Sequence, residues 1–169
     1  MEPTNSNIYV SDKLLRFEHV LRFCAHPVQI DERHRSAIVS HLQALNADDR
    51  YERFSIYMSD SALAEHVSKI NFHRDICLGI FETDLRLVGI IHLCIHGKTA
   101  ELGASVDRQY RYRGYALNLF KVAFVEAIKR GIQEIHLATG HPAACQIAQQ
   151  LGFKIRKGGS YPKAIICLV

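Results

Sequence analysis

The feature that most constrains the fold of this chain is a change of hydrophobic period across a short basic segment, Arg111-Tyr112-Arg113-Gly114-Tyr115-Ala116. Upstream, the run Thr-Ala-Glu-Leu-Gly-Ala-Ser-Val at 99–106 alternates apolar with small or polar residues, the period of a partly buried strand. Downstream, Leu117, Phe120, Phe124, Ala127 and Ile128 recur at helical spacing, with Asn118, Lys121, Glu126 and Lys129 mostly between them. A strand feeding a helix that feeds another strand requires a crossover, which points to an α/β fold. The junction is also chemically suggestive. Arg108, Arg111 and Arg113 surround Gly114, where backbone can approach a ligand closely. A helix start offers unpaired N–H groups and the positive end of the dipole, so strand–basic loop–helix can hold a phosphate. The competing reading makes the three arginines solvated surface charges.

The remaining chain supplies the other elements. Leu15, Phe17, Leu21 and Phe23 alternate with Arg16, Glu18 and Arg22, predicting a first strand after a tail at 1–12. Asp31 caps a helix over 32–45, striped by Ile38, Leu42 and Leu45. Residues 46–57 are polar and aromatic and read as a loop or short turn. Ser59 or Asp60 caps a second helix with Leu63, Val67 and Ile70 on its apolar face. Strands follow at 76–82 and 87–96, joined by the polar turn Thr83-Asp84-Leu85-Arg86, and Gly97-Lys98 turns the chain into the strand at 99–107. Gly131 stops the long helix at 114–130, and a strand covers 132–138. His141-Pro142 opens a helix ending at Leu151-Gly152, and strands at 153–156 and 164–169 close the chain. The order βαα-βββ-αβ-αββ predicts a single α/β domain over 13–169, with helices on both faces of a mixed sheet.

Composition narrows the classes. A chain of 169 residues, nearly half apolar, suits one folded domain. It has no apolar run long enough to span a bilayer and no basic-then-apolar secretory start. A balance of 21 basic to 17 acidic residues, without a basic run or aromatic platform, argues for neither nucleic acid nor a membrane as partner. Cys24, Cys77, Cys94, Cys145 and Cys167 form no C-x-x-C pair, so neither a zinc ribbon nor a redox dithiol is expected, and no metal. They read as reduced thiols of a cytoplasmic protein. Neither G-x-x-x-x-G-K-[ST] nor G-x-G-x-x-G occurs, which sets a nucleotide hydrolase or dinucleotide enzyme low.

The junction resembles the pyrophosphate loop of the GNAT acetyltransferases, Gln/Arg-x-x-Gly-x-Gly/Ala at a helix start, with Arg111, Gly114 and Ala116 at its fixed positions. Leu151-Gly152-Phe153 and Ala100-Glu101-Leu102-Gly103 extend the likeness over about 87–153. A fainter one at Leu45–Tyr51 and Arg53-Phe54 is to the branch that includes bacterial protein-lysine acetyltransferases. The resemblance implies acetyl-CoA as co-substrate and direct attack by a primary amine, a small molecule or a protein lysine. It implies that Tyr112, Arg113, Gly114, Tyr115 and Ala116, with Arg108 and Arg111, hold the pyrophosphate, that Ser105 and Val106 pair with the pantetheine arm, and that His141 borders the cofactor. A homodimer is left open. A catalytically weak CoA-binding regulatory or partner-binding module is the alternative.

Acyl transfer to an amine needs a base for the amine and an acid for the leaving thiolate. Glu101 is the candidate base. A two- or four-residue turn at Gly97-Lys98 sets Cys94 opposite Glu101 and His92 opposite Gly103, so His92, His96 and Glu101 share a face. Glu101 paired only with Lys98 or solvent is the plainer reading. The family's usual acid, a Tyr, is replaced at the corresponding position by Ala148. His141, Cys145 and Tyr161 are the proton carriers that could substitute, and each also has a structural reading, as helix cap, core and turn.

Overall fold

The computed structural model describes residues 26–169. The strand expected over 15–23 and the tail at 1–12 lie outside the described residues. Seven strands form one sheet: β1 (Val28–Gln29), β2 (Ile76–Phe81), β3 (Leu87–His96), β4 (Thr99–Val106), β5 (Glu134–Leu137), β6 (Lys154–Lys157) and β7 (Ala164–Cys167). Their spatial order is β1-β2-β3-β4-β5-β7-β6. Only β4 and β5 are parallel, and every other neighbouring pair is antiparallel. The sheet is therefore mixed, as the order of elements requires.

Five helices cover it: α1 (Arg35–Ala44), α2 (Ala47–Phe54), α3 (Asp60–Ser68), α4 (Tyr115–Lys129) and α5 (Pro142–Gln150). The strand period of two sends alternate side chains of β2 to opposite faces. Ile76, Leu78 and Ile80 pack with Leu119, Ala123 and Phe124 of α4. Cys77 packs with Ile38 and Leu42 of α1 and Leu63 and Val67 of α3. Two apolar clusters, one on each face, thus clamp the sheet, and α4 makes the crossover from β4 to β5.

The structure corrects the reading of 46–57 as a loop or short turn. Residues Ala47–Phe54 are helical, with the Asn46 side chain accepting from the Asp49 N–H at 2.9 Å. Asp48 and Asp49 in the first turn and Arg53 in the last complement the helix dipole. The helix lacks an apolar stripe because polar bonds anchor it. The Arg50 guanidinium donates to the carbonyls of Gln43, Leu45 and Met58 at 2.6, 3.0 and 3.0 Å. Asp31 caps a single 3-10 turn at Glu32–His34 that leads into α1, so the regular helix starts at Arg35.

Candidate active site

The β3–β4 hairpin has a two-residue turn, with His96 opposite Thr99, Cys94 opposite Glu101 and His92 opposite Gly103. Beyond the turn β4 meets β5 only at Thr99–Glu134, Ala100–Ile135 and Glu101–His136. The two strands then part, and among the described residues β4 has no strand partner on that side from Leu102 to Val106. A cavity of about 650 Å3 fills the fork, walled by β4, the loop at 110–114, the start of α4, Leu137–Thr139 and α5. The Asp107 N–H donates to the Val88 carbonyl at 2.8 Å. Given the register, alternate residues 105, 103 and 101 bond across to β3, while Leu102, Ala104 and Val106 turn their amide groups toward the cavity. Ser105 therefore presents its backbone to Ile90 and its hydroxyl to His41 Nε2 at 2.9 Å.

At the far end of this cavity Gly114 adopts φ 80, a conformation that favours glycine, and starts α4 without a side-chain cap. The first backbone bond of the helix runs from the Asn118 N–H to the Gly114 carbonyl. The N–H groups of Tyr115, Ala116 and Leu117 consequently have no intrahelical acceptor and line the cavity. The arginines are partly committed. Asp49 Oδ2 accepts from Arg108 Nε and Arg111 Nη2, each at 3.0 Å, and Arg111 Nε donates to the Val106 carbonyl at 3.0 Å. Burial would raise the Asp49 carboxyl, but the two guanidinium groups outweigh it and hold it below the ordinary range. Arg113 lies over the Tyr110 ring, 5.2 Å from its centre, and Tyr112 is fully exposed.

Glu101 sits where β4 and β5 separate, and it lines a second cavity of about 200 Å3 with Arg53, Phe54, His66 and His92. The Tyr161 hydroxyl donates to Glu101 Oε2. Burial and this carboxylate raise the Tyr161 hydroxyl to about 12, so it keeps its proton at neutral pH. The candidate base and one candidate acid, 60 residues apart in sequence, are thus in contact. His141 is placed elsewhere. Its Nδ1 accepts from the Ala143 N–H at 3.2 Å as the cap of α5, and its Nε2 faces Glu52 at 3.1 Å across the mouth of the larger cavity. Cys145 lines neither cavity, and burial raises its thiol. His92 Nε2 donates to Asp75 Oδ2 at 2.9 Å. Asp75, His92 and Cys94 bring ligand-type atoms within 4.8 Å of one another, but Arg74 on the same Asp75 carboxylate repels a cation there.

Two site residues were not legible as such in the sequence. Arg53 borders both cavities, its Nε and Nη1 shielded from solvent without a hydrogen-bond partner among the described residues. Burial lowers its guanidinium to about 10. A Cβ at position 103 would lie 3.2 Å from its guanidinium carbon, so Gly103 is what admits it against β4. His41, only 5% exposed, bridges the Leu87 carbonyl and the Ser105 hydroxyl, and burial lowers it to about 4. The signal for Arg53 lay in the Asn46-x-x-Asp49 cap, which makes 47–54 a helix and places Arg53 one turn after Asp49. His41 carried no such signal.

A forked parallel strand pair with an uncapped, glycine-hinged helix start at its open end defines an α/β domain with a ligand-sized groove. The acetyltransferase (GNAT) family model matches residues 39–153, and the chain belongs to that family. Solved structures agree on the fold. The GNAT domain of S. lividans PAT superposes with a TM-score of 0.67 at 15% identity, covering 83% of this chain and 87% of that one. A GNAT-family acetyltransferase from Staphylococcus aureus Mu50 gives 0.65 at 15% identity, covering 86% and 100%. Spermidine N-acetyltransferase from Vibrio cholerae, solved with CoA and spermine, gives 0.58 at 17% identity, covering 83% and 90%. No curated protein matches the sequence. Among the described residues no helix is long and apolar enough to cross a membrane.

Proposed function

We propose that the chain is an acetyl-CoA-dependent N-acetyltransferase that moves the acyl group to a primary amine by direct attack. The observation that carries this reading is Glu101 in contact with Tyr161 at the fork between a long groove and a smaller cavity. The groove fits CoA. Its open β4 edge can pair with the pantetheine amides at Leu102, Ala104 and Val106, and the free N–H groups at 115–117 suit the pyrophosphate. Arg111 lines the groove there, and Arg108 and Arg113 flank it in sequence with further positive charge. CoA supplies the activated thioester, and the protein supplies position and proton transfer.

Glu101 takes the amine proton as the C–N bond forms. When the C–S bond breaks, Tyr161 gives its proton to the thiolate and recovers one from Glu101. The net change moves one proton from amine to thiol and leaves both side chains as they began. His141 acts in this reading as a structural cap at the groove mouth. The test is CoA release with a panel of primary amines, comparing the native chain with Glu101→Gln. Loss of a positioned general base lowers the rate by roughly 100-fold or more, while CoA affinity stays within about twofold because Glu101 touches no phosphate site. CoA binding with no release for any amine would favour the alternative, a cofactor-binding regulatory module. Native-like turnover in Glu101→Gln would remove Glu101 from the chemistry.

A further inference from the structure

Among the described residues Arg53 has no carboxylate partner, and its guanidinium carbon lies over the Phe54 ring, 5.2 Å from the centre. Two of its three guanidinium nitrogens are shielded from water and unbonded among the described residues. Leaving such a group uncompensated is costly, as breaking a buried ion pair is. The carboxylates that could answer it are engaged elsewhere. Asp49 holds Arg108 and Arg111, Glu52 faces His141, Asp75 holds His92 and Arg74, and Glu101 accepts from Tyr161. Lys69, on the rim of the small cavity, is paired with Glu65. The Arg53 charge acts on a cysteine, Cys77, and on two histidines, His41 and His66, that it helps to keep neutral. The guanidinium is seated against β4 by the missing side chain of Gly103, beside a cavity that Glu101 also lines.

We propose that the acceptor is an amino carboxylic acid whose carboxylate pairs with Arg53 while its amine faces Glu101. The inference rests on the acetyltransferase reading above and names the substrate class of that site. A guanidinium attracts a carboxylate through charge-assisted bonding, and one set in a poorly hydrated wall does so with little competition from solvent. The small cavity, about 200 Å3, is below the roughly 300–1,000 Å3 of drug-sized ligand sites and suits a metabolite of amino-acid size. The opposite charges of Arg53 and Glu101 in its lining match a zwitterion. They do not match a polyamine, whose second ammonium would meet Arg53 and be repelled.

The test offers the enzyme acetyl-CoA with the twenty L-amino acids and, in parallel, their decarboxylated amines and α-amides. At least one acid is expected to exceed its amine and amide in kcat/KM by on the order of 100-fold, the loss associated with stranding a buried charge. Arg53→Gln is expected to erase that preference while the variant still binds CoA, as measured separately by calorimetry. The native acid-to-amide ratio needs no variant, so it decides the matter even if Arg53→Gln fails to fold. Amines or amides turned over as well as every acid would overturn the proposal while leaving the acetyltransferase reading intact. A preference for succinyl-CoA over acetyl-CoA that Arg53→Gln removes would also overturn it, by assigning Arg53 to a carboxylate on the donor. Absence of CoA binding would instead defeat the reading on which the proposal depends.

Discussion

Glu101, Tyr161 and Arg53 take their meaning from neighbours far away in sequence. Glu101 was legible because the Gly97-Lys98 turn sets the register of β3 and β4, and register decides which side chains share a face. Tyr161 was legible only as one of three proton carriers. Its contact with Glu101 depends on the loop between β6 and β7, for which no periodicity speaks. If Tyr161 relays the proton, Tyr161→Phe should lower kcat by about 10-fold or more. The CoA dissociation constant should not change. A variant with native kcat would show that the thiolate takes its proton from water or another group. Arg53 was illegible because nothing in a sequence reports that a charge lacks a carboxylate partner. That property belongs to the packed environment, not to the residue.

At the level of elements, α2 shows where periodicity fails. Its residues carry no apolar stripe, and its anchorage comes from Arg50 bonding to three carbonyls and from Asp49 and Glu52 reaching across to Arg108, Arg111 and His141. The cap was readable, and the tertiary anchors were not. α4, by contrast, is apolar on the face that meets the sheet, and its period with Gly114 and Gly131 at its ends placed it to within a residue of Tyr115–Lys129. Because α2 carries Arg53 and borders both cavities, its cap matters to the site. Asn46→Ala should cost about 1 kcal/mol of stability through the lost bond to the Asp49 N–H. It should also raise the acceptor KM more than it weakens CoA. Thermal unfolding and steady-state kinetics on the same preparation check both parts, and an unshifted unfolding midpoint would mean that the Arg50 bonds alone hold the helix.

Across the whole molecule, the six strands from Ile76 to Cys167, their mixed pairing and the helix layer on each face follow from hydrophobic period and the crossover at α4, whereas the two-residue strand Val28–Gln29 carried no such period. The fork was not readable, since the point where β4 and β5 part is set by β5 being four residues long against eight for β4. Burying His41 neutral has a cost that the whole fold bears. Its folded pKa of about 4 lies below the ordinary 6.5, so the unfolded chain takes up a proton that the folded chain refuses. Stability therefore falls as pH drops from 6.5 toward 4, by up to about 1.4 kcal/mol per pH unit. Below that range the depressed carboxyls of Asp49 and Asp75 add to the loss, since their contribution is present above their unfolded pKa and vanishes as they protonate. Unfolding midpoints at pH 7 and pH 4.5 should differ clearly, and less so in His41→Gln. Equal midpoints would contradict the assignment of His41 as buried and neutral. The most direct measurement of the central claim is calorimetric titration with acetyl-CoA, free CoA and ADP, on the native chain and on Gly114→Asp. CoA species should bind well more tightly than ADP, because ADP cannot pair with the open edge of β4. Gly114→Asp should weaken them by placing a side chain and a negative charge where φ is 80 and the pyrophosphate would lie. No CoA binding by the native chain, or unchanged affinity in a folded Gly114→Asp, would contradict the account.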